Sequence, residues 1–194
     1  MALNILKQLN WVDIIFVIVL IRICYVATKS GFLAEFFKIL GTIFAAYLSL
    51  HYCTGLTDYI KNFPPFKVVS VEFLDLIAYI ILATFGYLVF VVLRIATLHF
   101  IKMEAVPKLD KWGAFILGLC RGVLLNSLII FALITSTISY LKKSAFDSYS
   151  GESVFKIAPA VYRSIWEGFA SKFMTKEKLN QSVLEVTPVG STRE

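Results

Sequence analysis

Residues Phe73 to Leu98 read FLDLIAYIILATFGYLVFVVLRIATL, and only Asp75 and Arg94 bring charge into the run. A helix crossing a hydrocarbon core of about 30 Å needs roughly 20 predominantly apolar residues. The run is too long for a strand and lacks the alternation of a half-buried one. It predicts a membrane-spanning helix. Three more stretches qualify: Trp11 to Thr28, Phe32 to Tyr52 and Gly113 to Leu141.

Composition supports that solvent. The chain has 194 residues, 58% hydrophobic and 16% charged, with mean hydropathy +0.77. Soluble domains carry about 25% charged residues, so too little polar surface remains to face water on all sides. The net charge of +6 sits mainly beside the apolar runs, where it suits lipid headgroups better than nucleic acid. Cys24, Cys53 and Cys120 are far apart and lie in or at the edges of apolar runs, as small hydrophobes do. No nucleophile–base pairing, phosphate loop or zinc spacing is legible. No enzyme, cofactor or metal site is expected, and His51 and His99 are read as isolated. Arg22 interrupts the first run and no small-x-small cleavage pattern follows, so this run is expected to remain as an anchor.

The fold class is therefore all-α and polytopic, with four transmembrane helices arranged as two hairpins. Lys29-Ser30-Gly31 is a tight turn between the first two runs. The link from Cys53 to Glu72 contains Pro64-Pro65, and the link from His99 to Trp112 is polar around Pro107. Residues 1–141 are expected to form the membrane domain and residues 142–194 a polar tail. Within the tail, Val161, Ile165, Phe169 and Phe173 recur at helical spacing. They predict an amphipathic helix over about 160–174, lying on the membrane surface or packing on loops. A disordered end is expected from Thr187.

Charge inside the runs marks the candidate positions. Arginine at a span centre costs about 2.5–3.5 kcal/mol, and each large aliphatic or Phe residue returns about 0.3–0.6. Nine such residues between Ile14 and Ile23 surround Arg22, so the first run still inserts. In the second run Gly31, Glu35, Lys38, Thr42, Ala45 and Ser49 follow at steps of four and three, which puts them on one helix face. This small and polar stripe should face protein. Glu35 has three prospective partners: Lys38, Arg22 and Arg121. A charge pair fixing helix packing is favoured over a polar path. In the fourth run Ala114, Gly118 and Gly122 repeat at steps of four beside Arg121, a pattern that lets two helix backbones approach closely.

Four spans put both termini on one side. Arg22, Lys29, Lys38, Arg94, Lys102, Lys108, Lys111 and Arg121 lie toward the first and third links. Lys7, Lys61, Lys67, Lys142, Lys143 and Lys156 lie toward the termini. Eight against six, in shorter loops, favours cytoplasmic first and third links.

Several short motifs occur together in order. Asn10-Trp11-Val12-Asp13-Ile14-Ile15 opens the first run, Lys29-Ser30-Gly31-Phe32 with Glu35 makes the turn, and Leu109-Asp110-Lys111 leads to Gly118, Arg121 and Gly122. Over residues 10 to 160 the chain resembles the colicin V production protein family of bacterial inner-membrane proteins. Ser30 stands where that family usually has Arg, and Ala114 where it commonly has Gly. The resemblance implies a role in production or export of a peptide toxin, or more broadly in envelope upkeep. It adds Asp110 to the candidate positions. The alternative is an oligomeric channel or transporter for ions or small solutes, motivated by the polar stripe with Arg22 and Arg121. The expected partners are the lipid bilayer and either another membrane protein or a second copy, and not nucleic acid.

Overall fold

The computed structural model describes residues 10–100 and 107–174, together with residues 177, 179, 180 and 183. The middle of the third link, with Lys102 and Glu104, and the expected disordered end from Thr187 fall outside the described residues. Among the described residues there are helices and no strands: α1 (Trp11–Ser30), α2 (Phe32–Lys61), α3 (Val71–Phe100), α4 (Pro107–Thr135), α5 (Ser139–Phe146), α6 (Tyr149–Val154) and α7 (Ile157–Ile165). A π-helical turn, Trp166–Ala170, carries α7 into the short α8 (Ser171–Phe173). Four of these helices, α1 to α4, are long and apolar enough to cross a membrane.

Local chemistry sets the ends. The Asn10 side chain accepts from the Trp11 amide at 2.7 Å and Asp13 accepts from the Asn10 amide at 3.0 Å. This capping box starts α1. Gly31 ends it with φ +83° and ψ 161°, a conformation open essentially only to glycine. The second helix continues well beyond the expected Tyr52, to Lys61, and Pro64-Pro65 then form a 3-10 turn (Pro64–Phe66). At 1.5 Å per residue α2 is about 45 Å long, so its last turns stand clear of a hydrocarbon core of about 30 Å. The fourth helix stops sooner than the expected Leu141. The Thr135 hydroxyl bonds back to the Phe131 carbonyl and Ser136 Oγ accepts from the Ile138 amide, so local side-chain bonds replace the helical ladder.

The spans pair differently from the expected two hairpins. α1 lies chiefly on α4, whereas α2 lies on α3 and α4; the sequential neighbours α1 and α2 touch little. The cause is small-residue packing. A Cβ on Gly118 would sit 2.3 Å from the Ala27 Cβ, and one on Gly122 2.7 Å from Leu20. Lipid offers spans no hydrophobic drive to associate, so such close approach decides which helices pair. The most buried spans, α2 and α4, carry the small and polar residues; α1 and α3 expose apolar side chains such as Ile18, Ile21, Phe85 and Val92.

The tail is joined to this bundle. α5 to α7 rest on α1, α2 and α4, and one core cluster combines Leu50, Leu128, Phe131 and Ile134 with Phe155, Tyr162 and Trp166. The face of α7 that docks is Ala158, Tyr162, Trp166 and Ala170; Val161 and Ile165 are half-buried beside it, and Phe169 and Phe173 are exposed.

Candidate functional site

Two polar constellations lie along α2, one in its first turns and one beyond its middle. The first lies at the end carrying the first turn. Glu35, one turn into α2, is fully buried. Its Oε1 accepts from Lys38 Nζ, which also donates to Ser30 Oγ at 2.7 Å. Its Oε2 lies 3.0 Å from Arg121 Nη2, reaching from α4. One carboxylate therefore meets two cations, and of the two candidate arginines the structure chooses Arg121. Arg121 Nε is buried without a hydrogen-bond partner among the described residues. Arg22 is exposed on α1 and belongs to neither constellation.

Beside this triad, Asp110 Oδ1 accepts from the Phe32 amide at 2.7 Å. Gly31 has no side chain to cap α2, so a carboxylate from the start of α4 supplies the cap in its place. A Cβ on Gly31 would lie 2.9 Å from Asp110 Oδ2. Sequence placed Gly31 and Asp110 in separate motifs; the fold makes them one contact. Along α2, Thr42, Ala45 and Ser49 are buried, with the Thr42 hydroxyl on the Lys38 carbonyl at 2.9 Å. The expected stripe thus faces protein. Ala114 is fully buried in α4, and Gly118 and Gly122 seat α1.

The second constellation corrects the reading of His51 as isolated. Its Nδ1 is 2.8 Å from the Tyr162 hydroxyl and its Nε2 is 2.8 Å from Glu177 Oε2. Tyr47 and Trp166 stack near its ring at centroid distances of 5.3 and 5.0 Å. With a neutral imidazole, Tyr162 donates to Nδ1 and Nε2 donates to Glu177, while the Asn180 amide donates to the phenol oxygen at 3.0 Å. Burial pushes the Tyr162 phenol above its ordinary value, and the Asn180 amide opposes that shift. Sequence reasoning missed this cluster because His51 and its partners in the tail lie more than a hundred residues apart.

Asp13 of the opening motif makes a third polar contact, with the tail. Its buried carboxylate accepts from the Ser150 amide at 2.8 Å, from the Ser150 hydroxyl, and from the Tyr149 amide at 3.4 Å. Asn10 Nδ2 donates to the Ser144 carbonyl at 2.8 Å, and the Trp11 ring stacks parallel to Tyr140 with centroids 6.4 Å apart. The opening motif thereby fastens the tail to α1. The family model of the colicin V production protein matches residues 12–155. The chain belongs to the colicin V production protein family. No curated protein and no solved structure matches it. In this family member residues of the three motifs act in pairs across the fold: Asp13 with Ser150, Phe32 with Asp110, and Glu35 with Arg121.

Proposed function

We propose that this protein is a non-enzymatic accessory component of the bacterial inner membrane, supporting production or export of a peptide toxin or upkeep of the envelope. Family membership over residues 12–155 carries the reading. The buried ion pairing of Glu35 supports a packing role over a polar path, because its charge is met by Lys38 and Arg121. A channel built on the same stripe would need those groups turned toward water. The exposed surfaces of α1 and α3 leave room for another membrane protein or a second copy. We place the first and third links in the cytoplasm, and the Phe169–Phe173 face in the headgroup region, where exposed aromatic rings are favourable.

The test is deletion and complementation in a toxin-secreting bacterial strain, with crosslinking in native membranes. Unchanged secretion and envelope integrity, together with no crosslinked partner or self-association, would refute the accessory role. Ion or solute flux through proteoliposomes of the pure protein would favour the channel instead.

A further inference from the structure

We propose that the tip of the α2–α3 hairpin, outside the membrane, is a docking surface for a second copy of this chain. Close packing holds the hairpin together: a Cβ on Gly86 would lie 2.9 Å from the Ala45 backbone, and one on Gly41 2.8 Å from Phe90. Both α1 and α2 leave the turn at Gly31. The 20 residues of α1 rise about 30 Å to Trp11, and α2 reaches the same level near His51. From there to Lys61 it climbs about 15 Å further. Headgroups add only about 5–8 Å on each side of the hydrocarbon core. A tilt of about 20° lowers the tip by roughly 3 Å. The tip therefore stands beyond the reach of its own bilayer.

This tip exposes Tyr59, Phe63, Phe66, Val68, Val71 and Phe73, and Val68 is 94% exposed. It is an ordered turn. The amides of Phe63, Phe66 and Val69 donate to the carbonyls of Ile60, Phe63 and Phe66, and the Tyr59 and Phe63 rings meet edge-on at 5.4 Å. Large apolar side chains grouped in water mark a contact with protein.

Three features make a second copy the occupant. Every copy in one membrane carries its tip at the same height on the same side, as an isologous two-fold contact requires. Asp58 and Glu72 flank the patch together with Lys61 and Lys67. A face with both signs complements itself, where a face of one sign would repel its copy. Aromatic side chains offer about 150–250 Å² each, so at the observed exposures the patch supplies roughly 600 Å² per copy. A specific contact needs about 1,000 Å² over both partners. This contact rests on the membrane placement and not on a part in export, so either can fail alone.

The experiment uses the full-length chain in native membranes. Copies carrying two different tags should co-purify after mild extraction, a measurement that needs no substitution. A water-soluble bis-maleimide should join Val68→Cys chains into a product of twice the chain mass. It should leave uncoupled both the unaltered chain and Tyr149→Cys, which is exposed on the tail. Phe66→Glu added to Val68→Cys should lower the yield about ten-fold, as loss of an interface anchor does, with the unfolding temperature unchanged. The proposal is overturned if the tags never co-purify, if Val68→Cys gives no product, or if Tyr149→Cys couples equally well. An unchanged yield with Phe66→Glu, or a coupled product containing a different protein, overturns it too. So does protection of Val68→Cys from a single maleimide in material that is monomeric by light scattering, which would put the chain's own termini on the tip.

Discussion

Glu35 is the residue on which the turn end of the bundle balances. Removing one member of a buried ion pair strands the other, at a cost of about 3–5 kcal/mol. Glu35→Leu, which leaves Lys38 and Arg121 facing each other, is expected to lower stability in detergent by about that amount. The triple change Glu35→Leu, Lys38→Met, Arg121→Leu should regain most of the loss, since similar apolar volume often replaces a buried pair without penalty. Thermal unfolding checks both; complementation by the triple variant would place the charges in packing alone. Gly31 and Asp110 make a second residue-scale test. Asp110→Ala removes the cap on α2 and should cost about 1 kcal/mol. Gly31→Ala forces an L side chain into a glycine conformation against the Asp110 carboxylate, and should cost about 1–3 kcal/mol. Equal melting temperatures for wild type and Gly31→Ala would refute the role given to that turn.

At the scale of elements, two contacts decide how helices are placed. Gly118 lets α4 touch α1 at Ala27. Gly118→Leu overfills that contact and should destabilise by about 1–3 kcal/mol or more, read as a lower unfolding temperature. Asp13 holds the start of α6 through Ser150. Asp13→Ala should free the tail while the spans stay folded, so trypsin cuts faster at Lys142, Lys143 and Lys156. A proteolysis rate equal to wild type would show that other contacts suffice. The tail's second anchor, Tyr162, predicts an alkaline limit. Its phenol is raised in the folded state, so the stabilisation is complete below the ordinary tyrosine value of about 10 and is lost as pH climbs through the higher folded value. Tail protection in hydrogen exchange should fall in that alkaline window, and less steeply in Tyr162→Phe.

For the whole molecule, the asymmetry of charge matters more than any single contact. Among the described residues, the end with the first turn holds Arg22, Lys29, Lys38, Arg94, Lys108, Lys111 and Arg121 against Glu35 and Asp110. That excess predicts cytoplasmic first and third links. Reporter fusions at Lys108 should be active on the cytoplasmic side, and fusions at Lys67 on the opposite one. The reverse pattern would overturn the orientation. At the other end, the docked tail closes over His51 and Tyr162, with Glu177 exposed at its edge.

The sequence determined the helices and their solvent on its own, because runs of about 20 apolar residues leave the backbone no other way to satisfy its hydrogen bonds in lipid. It also determined that the Glu35 stripe faces protein, since helical periodicity is a local property. Tertiary structure alone decided that α1 packs on α4 rather than α2, that Arg121 and not Arg22 meets Glu35, and that His51 has partners in the tail. Those choices depend on close approaches between distant segments, such as Gly118 on Ala27, whose distances no spacing along the chain encodes.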